Sequence, residues 1–129
     1  MPAWLTQSLL VGAGGFVGAV LRYGVSGGVQ RLAGFSSFPY GTLAVNVAGC
    51  LAIGLLSGLA EARQVLTPEA RLLILIGLLG SFTTFSTFGY ETLTLLRDGA
   101  LLRATANVGL HVGLGLGAAW AGLALSRAL

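Results

Sequence analysis

Ten residues constrain this chain most: Gly80-Ser-Phe-Thr-Thr-Phe-Ser-Thr-Phe-Gly89 lies in a segment apolar enough to cross a bilayer, yet it carries two serines and three threonines. A helix that only spanned lipid would have no use for such a run of hydroxyls, because each needs a partner where water is absent. Gly77, Gly80 and the Ser/Thr cluster also lower helix propensity and offer the backbone competing hydrogen bonds. The helix is therefore expected to break at about Gly80 to Thr84, freeing carbonyls and amides that protein or an ion must satisfy at that depth. Phe82, Phe85 and Phe88 recur at intervals of three. Hydroxyls, free backbone and aromatic rings together suggest a site for a small ion or solute.

The surrounding composition fixes the class. The 129 residues are 55% hydrophobic and 9% charged, with a mean hydropathy of +0.88, which excludes an ordinary soluble domain and indicates an all-α integral membrane protein. A span uses about 20 residues, so residues 1–129 hold about four helices with short loops as a single membrane domain, and function must reside within the helices. The net charge of +3 comes from seven basic residues that are all Arg, scattered singly at helix ends. They form no basic patch, so no nucleic-acid partner is expected. Cys50 has no second cysteine to pair with and reads as a small core residue. The segment from Met1 to Gln7 lacks the positive region of a cleaved signal, and the apolar run after it is long enough to remain as a helix.

The first helix is expected over about residues 4–28, with Trp4 as an interfacial anchor and Gly14/Gly18 and Gly24/Gly28 spaced for close helix approach. Arg22 is its only charge. After a connection from Gln30 to Phe38, Pro39 suits the first turn of a second helix over about 39–60. Thr42 and Asn46, four apart, share a face of it, and Gly54/Gly58 form another close-packing pair. Asn46 in an apolar helix needs either a partner on a neighbouring helix or a wet cavity. Thr67-Pro68-Glu69 reads as an N-cap with proline at the first helical position, opening a third helix over about 68–96, broken near 80–84. Glu91 follows the break by about two turns, at the membrane surface or in a vestibule, since a carboxylate at mid-bilayer costs about 2.5–3.5 kcal/mol. A fourth helix over about 103–125 carries the ridge Gly109, Gly113, Gly117, with Asn107 and His111 on an adjoining face. A lone histidine without a carboxylate or cysteine beside it makes a poor metal site, and a hydrogen-bonded packing role competes with a pathway role.

Four spans put Arg63, Arg71 and Arg127 on one side of the membrane and Arg31, Arg97 and Arg103 on the other. Three against three gives almost no topological preference, even with Arg22 added to the second group. Such a chain can insert both ways up, and oppositely inserted copies can pair about a two-fold axis in the membrane plane.

Three blocks in order, Gly15-x-x-Gly18-Ala-x-x-Arg22-Tyr23, Gly41-Thr42-Leu43-x-x-Asn46-x-x-Gly49 and Gly80-x-x-Thr83-Thr84-Phe85-Ser86-Thr87-Phe88, resemble the Fluc (CrcB) fluoride channels over essentially the whole chain. The resemblance implies four transmembrane helices with a break in the third, assembled as an antiparallel dual-topology homodimer in the inner membrane of a prokaryotic cell. It implies two fluoride pathways along the subunit interface, and a structural Na⁺ at the dimer centre held by the backbone carbonyls of Gly80 and Thr83. Phe85 and Phe88 match the pore phenylalanines, Thr42 and Asn46 the polar pore-lining positions, Arg22 the first-helix arginine and Glu91 the acid after the aromatic motif. Helix four departs from the family pattern: Asn107 and His111 stand where a Tyr and then a Ser are usual, and both can donate a hydrogen bond.

The chemistry suits fluoride, a small and strongly hydrated ion whose water must be replaced by close donors. Asn46, Asn107, His111 and the hydroxyls of Thr42, Thr84 and Ser86 supply them, while Phe85 and Phe88 can present positive ring edges that hold an anion weakly. Weak holding favours throughput. The runner-up is a small multidrug-type proton-coupled antiporter, for which Glu91 is the one available carboxylate; a non-transporting membrane scaffold is the third reading. No nucleophile–base pair or metal-ligand cluster suggests an enzyme.

Overall fold

The computed structural model describes residues 1–34 and 36–129. It has four helices long and apolar enough to cross a membrane: α1 (Ala3–Leu32), α2 (Tyr40–Arg63), α3 (Pro68–Arg97) and α4 (Leu101–Ala128). The chain is a multi-pass membrane protein. The connection expected from Gln30 to Phe38 contains Phe35, which lies outside the described residues.

Local chemistry sets the helix ends. α1 continues past Gly28 to Leu32 and terminates before Gly34, whose φ of +75° is a left-handed conformation that glycine adopts without a Cβ penalty. Pro39 precedes α2 rather than occupying its first turn. Gln30 closes that end: its amide nitrogen donates to the carbonyls of Ser36 (3.2 Å) and Phe38 (3.1 Å), and its oxygen accepts from the Gly41 N–H at 3.1 Å. Thr67 caps α3 as expected, accepting from the Ala70 N–H at 3.2 Å with Pro68 at the first helical position.

The helices pack as two pairs, α2 chiefly on α4 and α1 chiefly on the N-terminal half of α3. Glycines permit both contacts. A Cβ at Gly14 would strike the Leu73 carbonyl and one at Gly18 the Leu78 carbonyl, while one at Gly77 would lie 2.7 Å from the Val11 carbonyl. The α3 stretch that receives α1, Leu72–Leu79, is wound as a π-helix. In the second pair, Gly54 faces the Ala119 carbonyl, Gly58 the Ser126 side chain and Gly122 the Leu51 carbonyl. The expected ridge on α4 is not the packed one: a Cβ at Gly109, Gly113 or Gly117 would meet nothing within 4 Å, and the same holds for Gly24 and Gly28 on α1. Small-residue spacing marks a face on which another helix can approach, but does not say whether that helix belongs to the same chain.

Little of the chain is sealed inside it. Val45 and Asn107 are the largest side chains with essentially no exposure, whereas Phe85 is 82% exposed. In an aqueous protein such apolar exposure would be costly; here lipid or another protein surface supplies the missing contacts.

Candidate functional site

The break in α3 lies where the hydroxyl-rich stretch places it. Thr83 (φ −87°, ψ 155°) and Thr84 (φ −150°, ψ 123°) are extended, separating the helical residues 68–82 from Phe85–Arg97. Extended residues cannot complete the helical ladder, so each freed group needs another partner. The Thr84 N–H, which would bond the Gly80 carbonyl in an unbroken α-helix, instead meets Asn46 Oδ1 at 2.9 Å. The Thr87 N–H, which would close on the Thr83 carbonyl, is capped by the Thr84 hydroxyl at 3.3 Å. The Ser81 carbonyl is taken by Arg22 Nε at 3.0 Å, and the Thr84 carbonyl by Asn46 Nδ2 at 3.1 Å. The break is thus stitched from α1 and α2, and the carbonyls of Gly80 and Thr83 are released from the helical pattern.

Asn46 is the pivot. It grips both backbone groups of Thr84, and its Nδ2 also lies 3.2 Å from His111 Nε2 on α4. His111 Nδ1 in turn lies 3.0 Å from its own helix's Asn107 carbonyl. Asn107 points elsewhere: it is fully buried, donating to the Thr92 hydroxyl at 2.9 Å, while Thr92 donates to the Phe88 carbonyl at 2.8 Å. His111 therefore reaches the break, whereas Asn107 ties α4 to the C-terminal half of α3 and lines neither of the two cavities beside the break.

Those cavities flank Thr84, which lines both. One, about 470 Å³, is an apolar groove walled by Asn46, Gly80, Thr83, Phe85, Phe88 and His111. Phe85 and Phe88 stand with ring centroids 5.4 Å apart at 53°, and Phe88 lies 4.4 Å from the His111 ring at 43°. At these angles neither pair stacks face to face. The other, about 670 Å³, is a polar vestibule reached by Arg22, Thr42, Thr87, Tyr90, Glu91 and Asp98. There Thr42 donates to Glu91 Oε1 at 2.8 Å. Glu91 Oε2 is buried without a hydrogen-bond partner among the described residues.

Apart from Asn107, the residues singled out by sequence thus gather around one break, though on its two sides. Thr42 and Asn46 share a face of α2 yet serve different cavities, Thr42 the vestibule and Asn46 the groove. Ser86 is exposed at the start of the second half, with its hydroxyl 3.3 Å from that of Thr84. Gln30, Thr87 and Thr92 have roles that the sequence reading did not assign. Thr92 was findable, since it continues the face of Thr84 and Phe88 at a spacing of four; Gln30 lies in the last turns of α1, past the helix end expected near Gly28, among residues read as a connection.

Four apolar helices, a broken third span and polar groups collected from three neighbouring helices at that break define a multi-pass membrane protein with a built intramembrane site. The chain matches the family described as CrcB-like protein, Camphor Resistance (CrcB), over residues 9–123. It belongs to that family. It is 48% identical over 125 residues, 97% of this chain and 100% of the relative, to a protein of Geobacter sulfurreducens named fluoride-specific ion channel FluC. Proteins of the same name from Maridesulfovibrio salexigens (47% over 119 residues, 92% and 94% of the two chains) and Rhizobium etli (44% over 125 residues, 97% and 99%) are similar throughout.

Proposed function

We propose that this protein is a passive, fluoride-selective ion channel rather than an enzyme, exporting fluoride and lowering its concentration in the cytoplasm. The observation that carries this reading is near-full-length similarity to proteins named fluoride-specific ion channels, in a chain whose break-stitching residues Arg22, Asn46 and Thr84 belong to the quoted sequence blocks.

The geometry supports weak, multi-point handling of a small anion. Phe85, Phe88, Asn46 and Thr84 border one groove, and no charged side chain among the described residues lines it. A guanidinium or ammonium in direct contact would add about 4 kcal/mol of attraction at an effective dielectric of 20, too strong a hold for release. Arg22 instead lines the vestibule, which it shares with Glu91 and Asp98, so its charge stays out of the groove and does not trap an anion there. Neutral HF enters a cell and ionises at the higher internal pH; a passive pathway then lets the membrane potential expel the anion.

The functional unit in this reading is an antiparallel homodimer of oppositely inserted copies in the prokaryotic inner membrane. Exposed Phe85 and Gly80, together with bare glycines on α1 and α4, leave surface for a second copy to cover. A structural Na⁺ at the dimer centre would be held by the carbonyls of Gly80 and Thr83. The fit is chemical: the Thr84 and Thr87 N–H groups bond elsewhere, releasing those two oxygens, and a hard cation prefers oxygen ligands. Bound, the ion would supply positive charge that offsets these carbonyl dipoles.

Purified protein in liposomes tests the function. Fluoride efflux that is ohmic, needs no proton gradient and excludes chloride is expected. Proton-coupled exchange would favour an antiporter with Glu91 as its carboxylate, and absence of flux would sink the channel.

A further inference from the structure

The contact between Asn46 and His111 fixes more than proximity. The Thr84 N–H can only donate and the Thr84 carbonyl can only accept, so Asn46 must turn Oδ1 to the first (2.9 Å) and Nδ2 to the second (3.1 Å). The amide orientation is thus set by backbone. Nδ2 carries two hydrogens and no acceptor, so at 3.2 Å from it His111 Nε2 must be the acceptor. At the other end of the ring, Nδ1 faces the Asn107 carbonyl at 3.0 Å, which again can only accept. Both ends demand the same state: imidazole neutral, proton on Nδ1, lone pair on Nε2. A flip of the Asn46 amide cannot accommodate any other state, because it would set Nδ2 against the Thr84 N–H and Oδ1 against the Thr84 carbonyl.

We infer that His111 is a positioning residue, held as the neutral Nδ1–H tautomer by the Asn107 carbonyl, and that its Nε2 anchors the Asn46 amide that holds the break in α3 open. The tilted Phe88 ring, with its centroid 4.4 Å from that of the imidazole, limits rotation of the ring and shares a wall of the groove with it. The chain of constraint runs from α4 through His111 to Asn46 on α2 and on to Thr84 on α3. His111 in this role shapes the groove through another side chain and need not bind the permeating ion.

The chain contains one histidine, so selective ¹⁵N-histidine labelling of the whole protein, purified with a histidine-free tag and reconstituted in bilayers, gives a single imidazole to read by solid-state NMR. At neutral pH the expected spectrum shows a protonated Nδ1 and a bare, hydrogen-bonded Nε2, with the Nε2 signal moving toward that of an unbonded imidazole in Asn46→Leu. A ring protonated on Nε2, or charged, overturns the inference. Liposome flux supplies the second arm, which rests on the channel reading. Glutamine can accept from Asn46 and donate to the Asn107 carbonyl, whereas leucine can do neither. His111→Leu should therefore carry at most about a tenth of the fluoride flux of His111→Gln, the size set by an unsatisfied buried polar group; equal fluxes overturn the anchoring role. Absence of fluoride flux from the unmodified protein would reject the channel while leaving the tautomer result to stand or fall by itself.

Discussion

Arg22 on α1 donates its Nε–H to the carbonyl of Ser81 at 3.0 Å, across 59 residues of sequence. In a continuous α-helix that carbonyl would accept from Phe85, the first residue after the break. The guanidinium therefore serves as a C-terminal cap for the first half of α3, in addition to lining the vestibule.

Removing that cap should weaken the break without preventing insertion. Arg22→Ala is expected to lose about 1.5–3 kcal/mol, the range for a hydrogen bond to a charged group, discounted toward the lower end because Arg22 is only half-buried. A lowered midpoint of thermal unfolding in detergent would show it, together with slower fluoride efflux; an unchanged midpoint would mean that the Ser81 carbonyl finds another partner.

Asn46 carries a larger share. Asn46→Leu leaves both the N–H and the carbonyl of Thr84 without their side-chain partner, at about 1–3 kcal/mol for each group left unsatisfied. Asn46→Asp keeps an acceptor for the N–H but sets a second oxygen against the carbonyl. Both variants should lose fluoride flux in liposomes, and retention of flux in the aspartate variant would show that the Thr84 carbonyl contact is dispensable.

Phe85→Ile and Phe88→Ile preserve apolar bulk while removing the aromatic rings that line the groove. Each is expected to abolish flux while the oligomeric state on size exclusion stays that of the unmodified protein. Unchanged flux would remove the rings from the pathway.

The two classes of glycine should separate cleanly. Gly18→Val forces a side chain into the Leu78 backbone of the neighbouring helix, an overpacking cost of about 1–3 kcal/mol or more, whereas a Cβ at Gly109 meets nothing within 4 Å among the described residues. Yield and monodispersity should fall for the first and hold for Gly109→Ala. A Gly109→Ala protein that remains monodisperse but runs as a smaller species than the unmodified protein would place that ridge at a contact between copies.

Much of this architecture could be read from residue order. The apolar runs located the four spans, and hydroxyls beside glycine located the break, because both effects act within one segment. What escaped was set by partners distant in sequence. Asn46 could be seen to need a partner, but that the partner is both backbone groups of Thr84 depends on how α2 crosses α3. Asn107 and His111 looked equivalent at a spacing of four, yet α4 packs so that one faces Thr92 and the other Asn46. The ridge Gly109, Gly113, Gly117 had the right spacing for close approach, but Gly115 and Gly122 are the α4 glycines that face α2.

The stitching of one break by side chains from α1 and α2, with α4 braced behind them, bears on the order in which the protein matures. Each span is apolar enough to enter the bilayer as a separate helix, and helices so inserted then associate. Within α3 the Thr84 hydroxyl caps the Thr87 N–H, but both backbone groups of Thr84 and the Ser81 carbonyl find their partners only on α2 and α1, so an isolated α3 leaves the opened backbone partly unmet. The segment fixes where the helix opens and docking fixes that it stays open, so a copy with the break fully satisfied has already completed its tertiary assembly.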